Sequence, residues 1–165
     1  MATKLGRDVF LALAAVGWAD GQLTPAAADA IVRAALEENM DLDEIRAIEE
    51  ATKTPVDVGV VDRMGMSKAD RLYVYGVASW ITSLDGKVTD KEQEALDKLG
   101  AALGVPEAPR RHADEIMRLI AAEGDRPARF DLVRLRETLT ERLEASRAHR
   151  EAQKAARGKP QSGEE

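Results

Sequence analysis

The stretch VGWADGQLTPAAADAI, residues 16–31, recurs in altered form as ITSLDGKVTDKEQEAL, residues 81–96. In this alignment the Asp-Gly pair of one copy falls on that of the other, and Thr24 falls on Thr89. Each copy reads as an apolar helix, an Asp-Gly turn, an aliphatic residue, and a threonine able to cap the next helix. Self-similarity of this kind predicts an internally duplicated helical bundle with an approximate two-fold axis.

Composition points to the same fold class. The chain has 165 residues, 44% hydrophobic and only 4% aromatic, and its apolar content is mostly Ala, Leu, Val and Ile beside abundant Glu, Arg and Lys. These residues favour helix, and no segment alternates with a period of two. The sequence therefore predicts an all-α bundle of about seven to eight helices without a β-sheet. The absence of cysteine excludes disulfides, zinc-thiolate sites and thiol nucleophiles.

Helix boundaries are marked by capping residues. Thr24 before Pro25, then Asp41, Ser67 and Thr89, are each placed to cap a helix that follows. Thr54-Pro55 repeats the signal and predicts a short helix over residues 54–64. The helix that begins at Ser67, SKADRLYVYGVASWITSL, is apolar on more than one face and is predicted to be the central, most buried one.

The same pattern divides the chain into three parts. Residues 1–105 form the duplicated helical domain, residues 106–149 a C-terminal helical extension, and residues 150–165 a disordered tail with few apolar groups. The last helix is predicted over residues 128–148, and its leucine stripe is expected to pack on the domain. A dimerising or partner-binding helix is the alternative, which leaves a homo-oligomer open. The stripe consists of Leu132, Leu135, Leu139 and Leu143.

Charge and hydropathy limit the partners. Residues 1–125 contain 14 Lys and Arg against 23 Asp and Glu, a net charge of −9, whereas residues 126–165 contain 10 against 7, a net charge of +3. An acidic body is a poor nucleic-acid binder and suits cations or a basic protein surface. No apolar run reaches the roughly 20 residues that span a bilayer, and the N-terminal apolar run lacks the features of a signal peptide. We therefore expect a cytoplasmic protein with a protein partner, with peripheral membrane contact left open through basic residues of the last helix.

The Asp-Gly corners can be compared with a calcium-binding loop. In SLDGKVTDKE, residues 83–92, Asp85 and Glu92 fall on ligand positions of an EF-hand, but Ile81 occupies the first one. An aliphatic residue cannot coordinate a metal, so a true EF-hand is not expected. A structural interpretation remains beside the metal one, because an Asp-Gly turn ends a helix and Glu92 in the first turn of the next helix interacts favourably with its dipole.

The segments WADGQLTPAAA and SLDGKVTDKEQEAL, with SKADRLYVYGVASWITSLDGKVT followed by LGAALGVP, resemble the TerB-like domains associated with bacterial tellurite resistance. The resemblance covers roughly residues 4–105. It implies a duplicated all-α domain whose corner carboxylates form a metal-binding or partner-binding surface without enzymatic activity, linked to stress response or membrane-associated assembly. Carried over by position, the metal ligands are Asp20, Asp85 and Glu92 for a divalent cation, and Ala27 stands where the first copy would have its glutamate. The alternative is a metal-independent adaptor whose acidic face docks a basic protein.

An enzyme is not expected from the residues themselves. His112 and His149 are the only histidines, and neither has the spacing of a nucleophile–base pair or a metal site. No glycine-rich phosphate loop is present in the sequence. Trp18 and Trp80, near the corners, are predicted to pack in or beside the core.

Overall fold

The computed structural model describes residues 5–19, 21–54, 66–84, 88–124 and 130–158. Within these ranges the chain forms seven α-helices and no β-strand, which confirms the all-α prediction. The helices are α1 (Arg7–Gly17), α2 (Pro25–Glu37), α3 (Leu42–Lys53), α4 (Lys68–Ser83), α5 (Asp90–Leu103), α6 (Glu107–Glu123) and α7 (Leu132–Gly158). The short helix predicted over residues 54–64 lies, apart from Thr54, outside the described residues.

The predicted capping residues begin their helices as expected. Thr24 Oγ1 accepts the Ala27 N–H at 3.1 Å with Pro25 at the first helical position. Asp41, Ser67 and Thr89 each form a reciprocal capping box with the residue three places on. Such caps satisfy backbone N–H groups that have no partner inside the helix. At the other end of α5, Gly104 has φ of 71°, a left-handed conformation that glycine adopts without steric cost.

Helix α4 is the centre of the bundle, as its sequence predicts. Twelve of its 16 residues are buried. It packs against α1, α5, α6 and α7, and more lightly against α2. A helix surrounded on most sides needs apolar residues around most of its circumference, which explains why its hydrophobic pattern is not confined to one stripe.

Both tryptophans pack as predicted. The Trp18 Nε1–H donates to the Ala51 carbonyl at 2.8 Å and so ties the end of α1 to α3. The Trp80 ring stacks on Phe130, with centroids 4.2 Å apart and an interplanar angle of 17°. One face of the Trp80 ring is therefore used inside the fold.

Helix α7 packs on the domain with its first half only. Leu132, Leu135 and Leu139 are buried, and the helix lies against α4 and α6. The predicted end near Ala148 is wrong, because α7 continues to Gly158 and so includes the first residues of the predicted disordered tail. Residues 144–157 are exposed and rich in Ala, Arg, Lys and Glu, whose helix propensity favours continuation without burial.

The predicted duplication has a counterpart in the arrangement of four helices. The pair α1–α2 and the pair α4–α5 each pack together, α1 contacts α4, and the cross-contacts α1–α5 and α2–α4 are both present. A two-fold axis between the pairs would exchange those two cross-contacts. The arrangement is compatible with the duplication, which stays a prediction.

Candidate functional site

Glu92 is the one predicted metal ligand that the described residues include. Asp20 and Asp85 lie outside them. The Glu92 side chain is buried, and its Oε1 accepts the Thr89 N–H at 3.1 Å, while Thr89 Oγ1 accepts the Glu92 N–H at 3.1 Å. This carboxylate therefore serves as the capping group of α5, and a cation would have to share it with the Thr89 N–H.

The two repeat corners differ in how they meet the core. Leu23 is partly buried against the core and lies close to Gly17 at the end of α1. Its counterpart Val88 is 43% exposed. The aliphatic residue of the first corner therefore packs against the core, and that of the second corner is largely exposed. Among the described residues, no three His, Asp or Glu side chains form a group that could hold a metal ion.

A different corner, between α2 and α3, combines exposed apolar surface with negative charge. Leu36 is 58% exposed and Leu42 is 64% exposed. Residues 36–44, which include both leucines, contain five carboxylates and no Lys or Arg. Isolated exposed leucines are common on protein surfaces. Two of them in a stretch whose charged residues are all acidic form a pattern more typical of an interaction site. We refer to residues 36–44 as the acidic corner.

The backbone of the acidic corner is fixed by local bonds. Asp41 Oδ1 accepts the Glu44 N–H at 2.8 Å in the capping box of α3, and Asn39 ends α2 in a left-handed conformation with φ of 55°. Glu38 pairs with Arg136 of α7. The Glu37 and Asp43 side chains are exposed. The corner thus presents leucines and carboxylates from a hydrogen-bonded turn between two packed helices.

Arg136 is the centre of a polar cluster that joins three helices. Its Nη1 donates to Asp70 Oδ1 at 2.9 Å, its Nη2 donates to Glu38, and its guanidinium lies 4.1 Å from the centroid of the Tyr73 ring. Asp70 also accepts the Ser67 N–H at 3.3 Å. Burial raises the pKa of Tyr73 to about 12, although the Arg136 charge opposes the rise. The cluster holds α7 against α2 and α4 beside the acidic corner.

A second polar cluster lies between α4 and α6. The Ser79 hydroxyl donates to Asp114 Oδ1 at 2.5 Å, and Arg110 lies 6.0 Å from the centroid of the Tyr75 ring. Burial raises the pKa of the Asp114 carboxyl above its usual range, and the Ser79 hydrogen bond and Arg118 counteract that rise only in part. Burial likewise raises the pKa of Tyr75 to about 12. Ser79 donates to a carboxylate instead of to a histidine base, so the pair does not have the arrangement that activates a serine nucleophile.

Compared with protein-family models, with curated proteins and with solved structures, the chain has no match. Within the described ranges, no helix combines the length and the apolar content that crossing a membrane requires. The function of the acidic corner therefore has to be inferred from its own residues.

Sequence reasoning missed both the acidic corner and the Arg136 cluster. The acidity of the corner could have been read from the sequence, because ALEENMDLDEI, residues 35–45, contains five carboxylates and no basic residue. The exposure of its two leucines could not, because it depends on how α2 and α3 pack. The Arg136 cluster joins residues far apart in the chain: Glu38, Asp70 and Arg136 share no motif, and only the tertiary fold brings them together.

Proposed function

We propose that this chain is a non-catalytic, TerB-like binding module whose acidic corner docks a basic amphipathic segment of a protein partner. The observation that supports this most directly is the exposure of Leu36 and Leu42 on a stretch that contains only negative charge. Apolar side chains left in water are a source of binding free energy, and the surrounding carboxylates select which partners can cover them.

On such a surface the leucines supply most of the binding free energy, and the carboxylates determine which partners bind. Burying apolar area contributes about 25 cal/mol per Å², so most of the affinity comes from covering the leucines. Exposed carboxylates such as Glu37 and Asp43 add little net affinity, but they steer cationic partners toward the site and repel anionic ones. A partner with apolar residues flanked by Lys or Arg at helical spacing meets both requirements.

The TerB-like resemblance suggests the cellular role in which such docking would take place. TerB-like domains are expected to act in tellurite or stress responses or in membrane-associated assemblies, and a docking corner suits an adaptor in such an assembly. The divalent-cation hypothesis for Asp20, Asp85 and Glu92 stays a separate prediction, because Glu92 already has a capping role.

Peptide display tests the docking proposal and needs no purified partner. A random peptide library is panned on the wild-type chain alone, and the selected peptides are then tested for binding to Leu36→Asp/Leu42→Asp and to Glu37→Lys/Asp43→Lys. We expect the selected peptides to combine apolar residues with Lys or Arg at three- and four-residue spacing, and to lose binding to both variants.

A matched control uses Lys91→Glu/Lys98→Glu, which changes two exposed charges on α5 away from the corner. Selected peptides should bind this variant as they bind the wild type. Peptides without positive charge, or peptides that bind the two corner variants as tightly as the wild type, would refute the proposal.

A further inference from the structure

The exposed end of α7 has an unusual distribution of charge. In residues 144–158 the only apolar side chains are alanines, and four cations stand against two glutamates. The cations are Arg147, Arg150, Lys154 and Arg157, spaced three, four and three residues apart. At about 100° per residue, this spacing places all four within an arc of about 80° on one side of the helix. We refer to these four residues as the basic stripe.

The basic stripe continues the face that packs on the domain. By the same helical geometry, the arc of the cations overlaps that of Leu132, Leu135 and Leu139, which are buried against α4 and α6. The first half of the face is therefore covered by the domain, and the second half extends past it. Every described side chain from Glu144 onward is exposed, although Arg147 forms an ion pair with Glu151 on the same helix at 3.1 Å.

The basic stripe lies beyond the point where α7 passes the acidic corner of its own chain. Arg136 of α7 pairs with Glu38 at that corner, which fixes where α7 passes it. From Arg136 to the residues between Arg147 and Arg157, a rise of 1.5 Å per residue gives a separation of roughly 17 to 32 Å along the helix axis. Because the stripe extends away from the Glu38 contact, its position favours contact with the acidic corner of a second molecule.

We infer that the basic stripe of α7 docks on the acidic corner of a second copy of this chain. The inference rests on the proposed function of the corner and names its partner. The stripe has no large apolar residue, so the aliphatic stems of its arginines and lysine are the apolar surface that covers Leu36 and Leu42. Charge complementarity favours it: every charged residue of the corner is a carboxylate, and the stripe is a row of cations along one side of a helix. In a two-fold dimer the contact is made twice, since the stripe of each copy meets the corner of the other.

Other anionic partners fit the stripe less well. A net charge of −6 repels nucleic acid over most of the surface, and four cations give few phosphate contacts. An interfacial membrane helix needs large apolar residues opposite its cations, whereas this segment has only alanines. Binding to duplex DNA or to anionic vesicles is thus an outcome that the experiment below must separate from self-docking.

Charge exchange between the two surfaces tests the inference in the full-length chain. The corner variant is Glu37→Lys/Asp43→Lys, and the stripe variant is Arg150→Glu/Arg157→Glu. Sedimentation velocity should show a concentration-dependent wild-type dimer and loss of that dimer in each variant alone. Mixing the two variants in equal amounts should restore a dimer, because the lysine corner meets the glutamate stripe and the unaltered stripe meets the unaltered corner. The Lys91→Glu/Lys98→Glu control should dimerise like the wild type.

Several results would overturn self-docking. These are a wild-type chain that stays monomeric at about 1 mM, a stripe variant that still dimerises, or a mixture that does not associate. So would stripe-dependent binding of a monomeric wild type to duplex DNA or to phosphatidylglycerol vesicles. The peptide selections distinguish this failure from that of the proposed function: basic peptides that bind the corner of a monomeric chain would leave the docking function standing and remove only the second copy as its partner.

Discussion

Replacing Arg136 with methionine should destabilise the whole bundle, because this side chain joins α7 to α2 and α4. Its partners are well shielded: the Asp70 side chain is 2% exposed, that of Glu38 is 12% exposed, and that of Arg136 itself is 25% exposed. Removing one member of a buried ion pair costs about 3–5 kcal/mol, since the remaining charge is left without its partner.

The expected loss lies near the lower end of that range. Asp70 keeps its bond from the Ser67 N–H, and methionine retains much of the packing against Tyr73. We therefore expect a loss of about 3 kcal/mol in the free energy of unfolding. With a urea m-value of about 2 kcal/mol/M, the midpoint of urea unfolding falls by about 1.5 M.

Two companion variants isolate the cause. Arg147→Met removes an exposed ion pair whose members are 76% and 68% exposed, so it should cost about 0.5 kcal/mol or less. Arg136→Met/Asp70→Asn removes one of the two carboxylates that the loss of the cation leaves uncompensated, and should recover part of the loss. A loss below about 1 kcal/mol for Arg136→Met, or a loss no larger than that of Arg147→Met, would refute the reasoning.

Three further predictions concern titration, chain length and metal. Because burial raises the pKa of Asp114, the folded state binds its proton more tightly than the unfolded state, and stability falls as pH rises from the usual aspartate range through the folded value. Asp114→Asn should therefore raise the melting temperature near neutral pH more than at acid pH, and an equal effect at both would contradict this. At concentrations where the full chain is monomeric, a chain ending at Leu143 should melt like the full chain, whereas one ending at Glu123 should not fold cooperatively by circular dichroism; the reverse order would be inconsistent with the buried leucines of α7. The TerB-like resemblance predicts that one divalent cation, at one hundred times its dissociation constant, stabilises the EDTA-treated chain by about 2.7 kcal/mol and that Asp85→Asn or Glu92→Gln removes the gain; no melting shift with calcium, magnesium, manganese or zinc would contradict it.

Local chemistry made much of this fold predictable. The threonine, serine and aspartate caps each act within three residues of their own position, so their effect can be read from adjacent letters. The central place of α4 follows from apolar residues around most of its circumference. The predicted end of α7 was wrong because a lack of apolar residues was equated with a lack of helix, whereas alanine, arginine and lysine sustain a helix that packs on nothing.

The candidate site was less predictable, because it is defined by the exposure of its residues in the folded chain. The repeat directed attention to Asp20, Asp85 and Glu92, because a repeated motif is the most visible feature of a sequence. In the sequence, Leu36 and Leu42 cannot be distinguished from leucines of the core. Their exposure follows from the way in which the helices pack. Their importance depends on tertiary burial, which a single sequence does not report.

Nuclear magnetic resonance titration of the wild-type chain with a selected basic peptide tests the docking account most directly. We predict that the backbone amide and leucine methyl shifts of residues 36–44 change most, and that the changes weaken as salt is added, because the Debye length shortens from about 10 Å at 0.1 M to about 3 Å at 1 M. Shifts confined to other surfaces, such as the second repeat corner around Thr89, or shifts at residues 36–44 that salt does not weaken, would contradict the account.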